Sequence, residues 1–530
     1  MEKLLIGGGW QVSDNPGGSF RAEDPATGQP IGPEFPVSGA ADVEFALTHA
    51  EAAAKDLAAI EPERIAGFLD AFASGIEASA PELAEVAHRE TALGVHPRLY
   101  DVELPRTVNQ LRQAAAAARS RLWSAPTIDT QAGLRARYAP LSKPVVVFGP
   151  NNFPFAFNAV SGGDCAAALA AGNPVIAKCH PAHPQTCRQL AKIAQAAVQS
   201  AGLPMATIQI LYHMPPELGL KLVSDSRVGA VGFTGSRAGG LALKRAADEV
   251  GIPVYAEMSS INPVFILSGA LAERGAEIAS ELATSCLAGV GQFCTNPGFV
   301  VIPRGGAGDT FVSVARRCFE QAEPGVLLAR GVLEGLVRSV DALRTAGARV
   351  LCGGHAASGA GYRYSPTLLS VDADHFAEHA AALQQEAFGP VSLFIRTGSD
   401  AETESIARAL EGNLTGCVYS ARDGSDDVLA ERLMKQLRPR VGRLLNDRMP
   451  TGVAVSAAMN HGGPYPATSH SGFTSVGFPA AIRRFATLEC YDHVREAWLP
   501  PELRDRNPDG GLQRCIDGVW TTADVAASTP

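Results

Sequence analysis

Cys294 is the candidate nucleophile of this sequence. It lies in GQFCTNPG, between a helix-like stretch that stops at glycines and the apolar run FVVI. A thiolate in polar, glycine-framed surroundings is a nucleophile suited to acyl chemistry. Most cysteines are small buried apolar residues, so this position alone leaves both interpretations open.

Two glutamates could supply the general base that water needs to cleave an acyl intermediate. Glu257 ends the apolar run PVYAE, and Glu386 precedes a turn that leads into the run VSLF. Glu257 would stand at the carboxyl end of a strand, where the sites of parallel sheets gather. A solvated strand end explains either carboxylate equally well.

Two turns could bind an oxyanion or a phosphate. Asn152, in GPNNFPFAFN, follows the run PVVVF and could donate its amide to an oxyanion, although asparagine beside Gly and Pro is usually a turn former. The run VGAVGF continues through Gly235 and Ser236 into a helical stretch, a pattern that can bind a pyrophosphate. The G-x-G-x-x-G fingerprint is missing, so an ordinary tight turn stays an alternative.

The composition argues against several classes of function. The 530 residues carry 45 Lys and Arg against 54 Asp and Glu, a net charge of −9, without a long basic run. A nucleic-acid partner is therefore not expected. The ten cysteines form no C-x-x-C pair, and His180 and His183 are separated by a proline without a further cluster. This pattern predicts reduced thiols and no metal site.

The apolar runs are too short for export or for a membrane span. MEKLLIGGGW has only a brief apolar step, and runs such as PVVVFGP stop well before the ~20 residues that cross a bilayer. We therefore expect a cytoplasmic protein without a membrane partner, whose partners are small molecules and sister subunits.

The elements that must position these residues follow from apolar periodicity. Spacings of three and four residues predict amphipathic helices over 41–120, and breakers with alternating apolar positions predict an extended segment over 121–143. From 144 onward, and again over about 257–445, short apolar runs alternate with helical stretches. This alternation predicts an α/β fold with a parallel, doubly wound sheet and, at this length, two or three domains.

Several of these segments, in this order and at these separations, resemble the motifs of the aldehyde dehydrogenase superfamily across nearly the whole chain. They are GPNNFPFAFN, PVIAKCHPAHPQT, GFTGSRAGG, AEMSSINP, GQFCTNPG and QEAFGPV. PTGV at 450–453, HGGPYPAT at 461–468 and LPPELRDRNP are most similar to the branch that contains α-ketoglutaric semialdehyde dehydrogenases and related NADP-linked fatty aldehyde dehydrogenases.

The resemblance implies a Rossmann-type cofactor domain, an α/β catalytic domain and a small oligomerisation element. The implied ranges are 1–120 and 144–256 for the cofactor domain, 257–445 for the catalytic domain with the nucleophilic cysteine, and 121–143 and 446–530 for the oligomerisation segment and C-terminal region. A homodimer or homotetramer formed through about 121–143 and 484–500 is also implied. The tail after residue 500 has no assigned role.

Catalytic roles carry over residue by residue. Cys294 matches the family nucleophile, Glu257 the general base, and Asn152 the side-chain donor of the oxyanion hole, with the Cys294 N–H as the second donor. The thiolate would add to an aldehyde carbon, and hydride loss would leave a thioester for water to cleave.

Cofactor roles carry over in the same way. Lys178 matches the lysine that holds the adenine ribose, Gly235 and Ser236 match the pyrophosphate turn, and Glu386 with Phe388 match the residues that position the nicotinamide riboside.

The loop after Lys178 bears on the choice of cofactor. Many NAD-preferring relatives carry an acidic residue three positions after this lysine, where the sequence has Pro181. Without a carboxylate to repel a 2′-phosphate, and with His180 nearby, NADP is the expected cofactor and NAD is also accepted. Pro181 could instead be a plain loop residue, with both cofactors used.

The favoured reaction is oxidation of α-ketoglutaric semialdehyde to 2-oxoglutarate. A long-chain aldehyde is the alternative substrate, while a cysteine-dependent esterase and a silent scaffold subunit are alternatives of other classes. Phe153, Phe157 and Phe299 could line an apolar tunnel or could be packing residues.

Two positions depart from the family pattern. Ser259 stands where a glycine commonly follows the Glu-Met pair, and could tighten the cofactor pocket. RLLNDRMPTGV places Asp447 and Arg448 near the expected substrate entrance, where Arg448 could pair with a substrate carboxylate. A surface arginine is the commoner explanation.

Overall fold

The computed structural model describes residues 1–508 and 510–526. No helix within these residues is sufficiently long and apolar to span a bilayer. The predicted α/β class is confirmed by two large sheets that are mainly parallel, with helices between their strands.

Residues 1–143 form two hairpins, a helical layer and part of a separate sheet. Their strands are β1 (Leu4–Ile6), β2 (Gly9–Gln11), β3 (Ser19–Asp24), β4 (Gln29–Pro36), β5 (Thr127–Asp129) and β6 (Leu134–Pro140). Their α-helices are α1 (Ala40–Leu57), α2 (Pro62–Ala78), α3 (Ala80–Thr91) and α4 (Leu104–Ser120). A π-helical segment, Val95–Glu103, leads into α4. The helices predicted over 41–120 and the extended segment predicted over 121–143 are confirmed.

The next region forms a five-stranded parallel sheet in the order β11-β10-β7-β8-β9. Its strands are β7 (Val145–Phe148), β8 (Val175–Lys178), β9 (Ile208–Leu211), β10 (Ala230–Thr234) and β11 (Val254–Glu257). Its α-helices are α5 (Gly163–Ala170), α6 (Pro184–Ala201), α7 (Pro216–Val223) and α8 (Arg237–Asp248). The strands are short apolar runs because helices cover both faces of the sheet.

The second alternating region forms a seven-stranded sheet in the order β14-β15-β16-β13-β12-β17-β18, in which only the β14–β15 pair is antiparallel. Its strands are β12 (Val264–Ile266), β13 (Phe299–Pro303), β14 (Arg349–Cys352), β15 (Thr367–Asp372), β16 (Val391–Thr397), β17 (Asn413–Tyr419) and β18 (Val441–Asn446). Its α-helices are α9 (Ser268–Leu287), α10 (Gly306–Gln321), α11 (Arg330–Thr345), α12 (Ala373–Leu383), α13 (Asp400–Ala409) and α14 (Asp427–Leu437).

The last strands complete a third sheet, in the order β19-β6-β5-β20-β21. They are β19 (Ala486–Asp492), β20 (Arg514–Ile516) and β21 (Val519–Thr521). The tail after residue 500, which had no role in the sequence analysis, therefore extends this sheet. Residues 509 and 527–530 of the predicted C-terminal region lie outside the described residues.

The carboxyl ends of the parallel strands place several candidate residues along one edge. Phe148 is in register with Lys178, and Thr234 is in register with Glu257. Asn152 follows β7 and Gly235 follows β10. Ligands of open α/β sheets bind at this edge.

The segment between β18 and β19 returns to the same edge. Thr468 forms an antiparallel bridge with Glu257, and the N–H of Met258 donates to the carbonyl of Ala467 at 2.7 Å. This pairing places the 461–468 motif beside the end of β11. Part of the range assigned to the C-terminal region therefore lies at the candidate site.

Candidate active site

The loop that carries Cys294 is bent sharply just after α9. Gly289, Val290 and Gly291 have positive φ angles of 54°, 58° and 68°. A Cβ on Gly291 would lie 2.1 Å from the carbonyl oxygen of Gly389, so this loop packs directly on the 386–390 turn. Cys294 is half-buried, and the loop presents it to the strand ends described above.

His461 joins the predicted nucleophile to the predicted base. The Sγ of Cys294 lies 3.3 Å from Nε2 of His461, and Nδ1 of the same ring lies 2.5 Å from Oε2 of Glu257. Only 3% of His461 and 5% of Glu257 is exposed. The Glu257 carboxylate thus orients the imidazole of His461 so that Nε2 faces the thiol. Catalytic triads place a nucleophile, a base and a carboxylate in the same order.

Residues of the 461–475 segment fix this arrangement. The Ser475 hydroxyl donates to Oε2 of Glu257 at 3.0 Å, and the N–H of His461 donates to the Thr474 hydroxyl at 2.9 Å. Oε1 of Glu257 has no hydrogen-bond partner among the described residues, which leaves it available to a water molecule. The ligand atoms of Glu257, Cys294 and His461 lie within 4.8 Å of one another, so the group could also coordinate a metal ion.

Burial raises the pKa of the Cys294 thiol well above its usual range. The carboxylates of Glu257 and Glu386 raise this pKa further, and the guanidinium of Arg106 opposes them. The thiol is therefore protonated at neutral pH, and a proton acceptor is needed before it can act as a nucleophile. The Nε2 atom of His461 has the position required of that acceptor.

Asn152 is buried and bonded to the loop that carries the nucleophile. Its Nδ2 donates to the carbonyl of Gln292 at 2.9 Å. A side-chain amide carries two N–H groups, so a second donor remains for an oxyanion. The structure thus brings Asn152, Cys294 and Glu257 together, as the sequence analysis expected.

Lys178 lies at the end of β8 in a group of protonatable side chains. Burial lowers the pKa of Lys178 and also lowers the pKa of both His180 and His213, with Lys178 as a further cause for each histidine. Pro181 follows in the half-buried loop and offers no carboxylate. This group could hold the ribose and the 2′-phosphate of a dinucleotide.

Gly235 and Ser236 connect β10 to α8. Ser236 is the exposed N-cap of the helix, and its hydroxyl accepts the N–H of Gly239 at 3.3 Å. The helix therefore begins at the open edge of the parallel sheet, where backbone N–H groups suit a pyrophosphate. Together with Lys178 this turn fits the dinucleotide that the resemblance implies.

Glu386 and Phe388 belong to the turn on which the Cys294 loop packs. Burial raises the pKa of Glu386 to about 7, while hydrogen bonds from the Ser259 hydroxyl and the Ser260 N–H oppose the rise. Ser259, which departs from the family pattern, therefore holds this carboxylate. Glu386 and Phe388 line the same cavity as Phe293.

The three predicted tunnel phenylalanines have different environments. The ring of Phe153 lies 5.2 Å from that of Phe157 and 5.5 Å from that of Phe293, and the Phe157 ring lies 5.6 Å from that of His461. Phe299 is fully buried and packs against Phe376 at 5.4 Å. Phe153 and Phe157 therefore border the site, whereas Phe299 is a packing residue.

Arg448 and Asp447 lie at the end of β18. Arg448 is exposed. Asp447 is bound to Arg274 at 2.5 Å. The structure therefore gives Arg448 the surface position that the sequence analysis named as the commoner explanation.

Sequence reasoning did not identify His461. This histidine is 167 positions from Cys294 and 204 positions from Glu257, so no local spacing connects the three. His461 is the first residue of the motif HGGPYPAT. That motif was used only to recognise the family branch, and no role was assigned to its histidine.

A family model described as "Aldehyde dehydrogenase family" matches residues 10–487. The chain is 41% identical over 519 residues to "Alpha-ketoglutaric semialdehyde dehydrogenase 2" of Azospirillum brasilense, with 96% of this chain and 97% of the relative covered. It is 37% identical over 467 residues to "Alpha-ketoglutaric semialdehyde dehydrogenase" of Acinetobacter baylyi, with 86% and 87% covered.

The fold is also similar to that of solved structures. Aldehyde dehydrogenase C from Pseudomonas syringae, solved as a mutant with NAD+ and octanal, superposes with a TM-score of 0.80 at 20% identity. The superposition covers 94% of this chain and 98% of that protein.

Proposed function

The chain belongs to the aldehyde dehydrogenase family, and from that premise we propose that it oxidises α-ketoglutaric semialdehyde to 2-oxoglutarate, with NADP as the favoured cofactor and NAD also accepted. The observation that carries the chemistry is the 3.3 Å contact between the Cys294 thiol and the imidazole that Glu257 orients. The choice of substrate is supported by the two curated relatives at 41% and 37% identity.

Catalysis begins with the proton of Cys294. His461 accepts the thiol proton at Nε2, and Glu257 stabilises the resulting imidazolium through Nδ1. The thiolate adds to the aldehyde carbon, and the carbonyl oxygen becomes an oxyanion. The amide of Asn152 and the N–H of Cys294 hold this oxyanion.

The tetrahedral adduct then loses hydride. A bound nicotinamide dinucleotide supplies the hydride acceptor. The C–H bond of the adduct breaks with its electron pair, the C=O bond re-forms, and an acyl thioester on Cys294 remains. The dinucleotide would be held by Lys178, the Gly235–Ser236 turn, Glu386 and Phe388.

Hydrolysis releases the acid. Oxygen Oε1 of Glu257, which has no partner among the described residues, accepts a proton from water as the water adds to the thioester. The C–S bond breaks, and the Cys294 thiolate recovers its proton from His461. Glu257 and the new carboxylic acid each release a proton to solvent. The product leaves as a carboxylate.

The preference for NADP is supported by the side chains around Lys178. Pro181 brings no negative charge to the position where a 2′-phosphate would lie, and His180 and His213 lie close enough to Lys178 for its charge to lower their pKa values. The negative charge of a 2′-phosphate would raise the pKa values of Lys178, His180 and His213 and so favour their protonated forms.

Assembly and location complete the proposal. The extended segment 121–143 and β19 pair in one sheet, with Ala139 opposite Thr487, which is consistent with a homodimer or homotetramer formed through them. We also infer that the protein is located in the cytoplasm.

The test is the rate of nicotinamide reduction with α-ketoglutaric semialdehyde and with octanal, each with NADP and with NAD. We expect the semialdehyde with NADP to give the highest kcat/KM. The Cys294→Ala variant should abolish turnover, whereas Cys318→Ala, a half-buried thiol in α10, should retain it.

A preference for octanal would instead favour the fatty aldehyde alternative. Ester cleavage without nicotinamide reduction would favour the esterase alternative.

A further inference from the structure

Arg106 lies in the first turn of α4, beside the aromatic border of the site. Its guanidinium carbon lies 5.5 Å from the ring centre of Phe157 and 6.0 Å from that of Phe153. The Phe157 ring also lies 5.6 Å from that of His461. The same phenyl ring therefore lies beside both this cation and the histidine that faces Cys294.

Most of the hydrogen-bonding capacity of Arg106 is unused. Nη1 donates to the carbonyl of Val453, whereas Nε and Nη2 are shielded from solvent and have no partner among the described residues. A buried donor without an acceptor is costly, and more so when it carries charge. The buried Arg484 also has one unpartnered nitrogen, Nη2, but unlike Arg106 it donates from Nη1 to a carboxylate, that of Asp164, at 2.8 Å.

The carboxylate of Glu103, which attracts the Arg106 guanidinium, serves another arginine. Oε2 of Glu103 is bound to Arg98 at 2.5 Å, and Oε1 accepts the N–H groups of Phe155 and Ala156. Burial lowers the pKa of Arg106, which shows that the attraction of Glu103 does not offset the loss of solvent. Two guanidinium groups thus border Phe153, and only one of them has a carboxylate partner.

We propose that Arg106 binds the carboxylate of the aldehyde substrate. Nε and Nη2 form one edge of the guanidinium, and this edge presents two parallel N–H groups that match the two oxygens of a carboxylate. The inference rests on the proposed function in one respect, namely that the substrate bears a carboxylate. It assigns to Arg106 the role that the sequence analysis considered for Arg448.

The surrounding segment must open for this contact to form. Val453, Val455 and Met459 pack with Phe153 and Phe157 in one apolar cluster over the arginine. Because Nε and Nη2 are out of solvent, a carboxylate reaches them when the backbone at Val453 moves away. The apolar cluster then excludes water from the ion pair, which strengthens it.

The test compares two variants of α4 on two aldehydes of equal chain length. Arg106→Gln removes the cation, and Arg112→Gln is the matched control, since Arg112 lies on the same helix and pairs with Glu77 at the surface. For α-ketoglutaric semialdehyde we expect Arg106→Gln to lower kcat/KM about 10- to 100-fold, mainly through KM. For pentanal, Arg112→Gln should stay near the wild type. Arg106→Gln should lose much less on pentanal than on the semialdehyde, because there the only cost is the rise in the Cys294 pKa that follows removal of the guanidinium. Arg106→Lys keeps the positive charge but not the two parallel N–H groups, so its kcat/KM for the semialdehyde should lie between those of the wild type and Arg106→Gln.

A binding measurement separates this inference from the proposed function. Glutarate should inhibit pentanal oxidation competitively in the wild type and in Arg112→Gln, and much more weakly in Arg106→Gln. That result would support the carboxylate site even with a different physiological aldehyde. Equal loss on both aldehydes, or glutarate inhibition that Arg106→Gln leaves unchanged, would overturn the assignment, as would a wild type that glutarate does not inhibit. A thermal midpoint for Arg106→Gln close to that of Arg112→Gln would confirm that both variants fold.

Discussion

Ionisation of the Cys294 thiol decides when the site can react. Burial raises its pKa, so the 3.3 Å contact with His461 should control reactivity near neutral pH. We expect His461→Gln to lower kcat/KM by roughly 10²- to 10⁴-fold, the range of general-base effects. In the variant, alkylation of Cys294 by iodoacetamide should become appreciable only at alkaline pH.

The control is His493→Gln, since His493 is an exposed histidine bound to Asp492. An alkylation profile against pH that is the same in His461→Gln and the wild type would show that His461 does not take the thiol proton.

Glu386 gives a second prediction at the scale of single residues. Its pKa of about 7 lies above the ordinary value for glutamate, so its carboxyl becomes protonated as the pH falls through neutrality. The ionised form is the better acceptor for ribose hydroxyls. We therefore expect the Kd for NAD to rise between pH 8 and pH 6 in the wild type and to stay nearly constant in Glu386→Gln. The same dependence of this Kd on pH in the wild type and in Glu386→Gln would contradict a role for Glu386 in holding the riboside.

At the scale of elements, the segment 461–468 is held against β17 by close backbone contact. A Cβ on Gly463 would lie 2.4 Å from the carbonyl oxygen of Asn413, so Gly463→Ala must displace the segment that carries His461. We expect a loss of about 1–3 kcal/mol in the free energy of unfolding, together with lower kcat.

Gly472→Ala is the matched control, because a Cβ there has no neighbour within 4 Å. Denaturant titration of the two variants provides the measurement. Equal stability and activity would mean that the segment tolerates displacement.

The elements themselves could be predicted from the sequence to a large extent. Runs such as PVVVF and PVIAK became β7 and β8 because apolar side chains of that length and spacing suit a strand covered on both faces. The turn at Gly235 was predictable for the same local reason. Asn152, Glu257 and Cys294 followed from motifs taken together, since each had an ordinary explanation alone.

The remaining features depend on contacts between distant parts of the chain. His461 and Arg106 reach the site through the irregular segment after β18 and through α4, and neither element has a pattern that predicts its partner. Arg448 was suggested for a substrate carboxylate by its neighbours in sequence, and its exposed side chain leaves that role a prediction. Whether a charged side chain is buried depends on tertiary packing, and the spacing of apolar residues in the sequence does not predict it.

At the scale of the whole molecule, the third sheet ends in an exposed edge strand. Leu488 in β19 is 64% exposed, and an edge strand with an exposed apolar side chain is suited to pairing with another subunit. We expect Leu488→Glu to shift the assembly towards monomer in light scattering after size exclusion. Val428→Glu on α14, where the valine is 71% exposed, should leave it unchanged. An unaltered mass for Leu488→Glu would argue against assembly through this strand.

Acylation of Cys294 can be detected directly if hydrolysis of the thioester is slowed. The Glu257→Gln variant lacks the base for hydrolysis and also the carboxylate that orients His461. It would therefore be incubated with α-ketoglutaric semialdehyde and NADP long enough for the slower acylation, quenched in acid and analysed by peptide mass spectrometry. We predict an acyl group on the peptide that contains Cys294 and one equivalent of NADPH for each acyl group formed. An acyl group on another cysteine, or acylation without NADPH, would contradict the account.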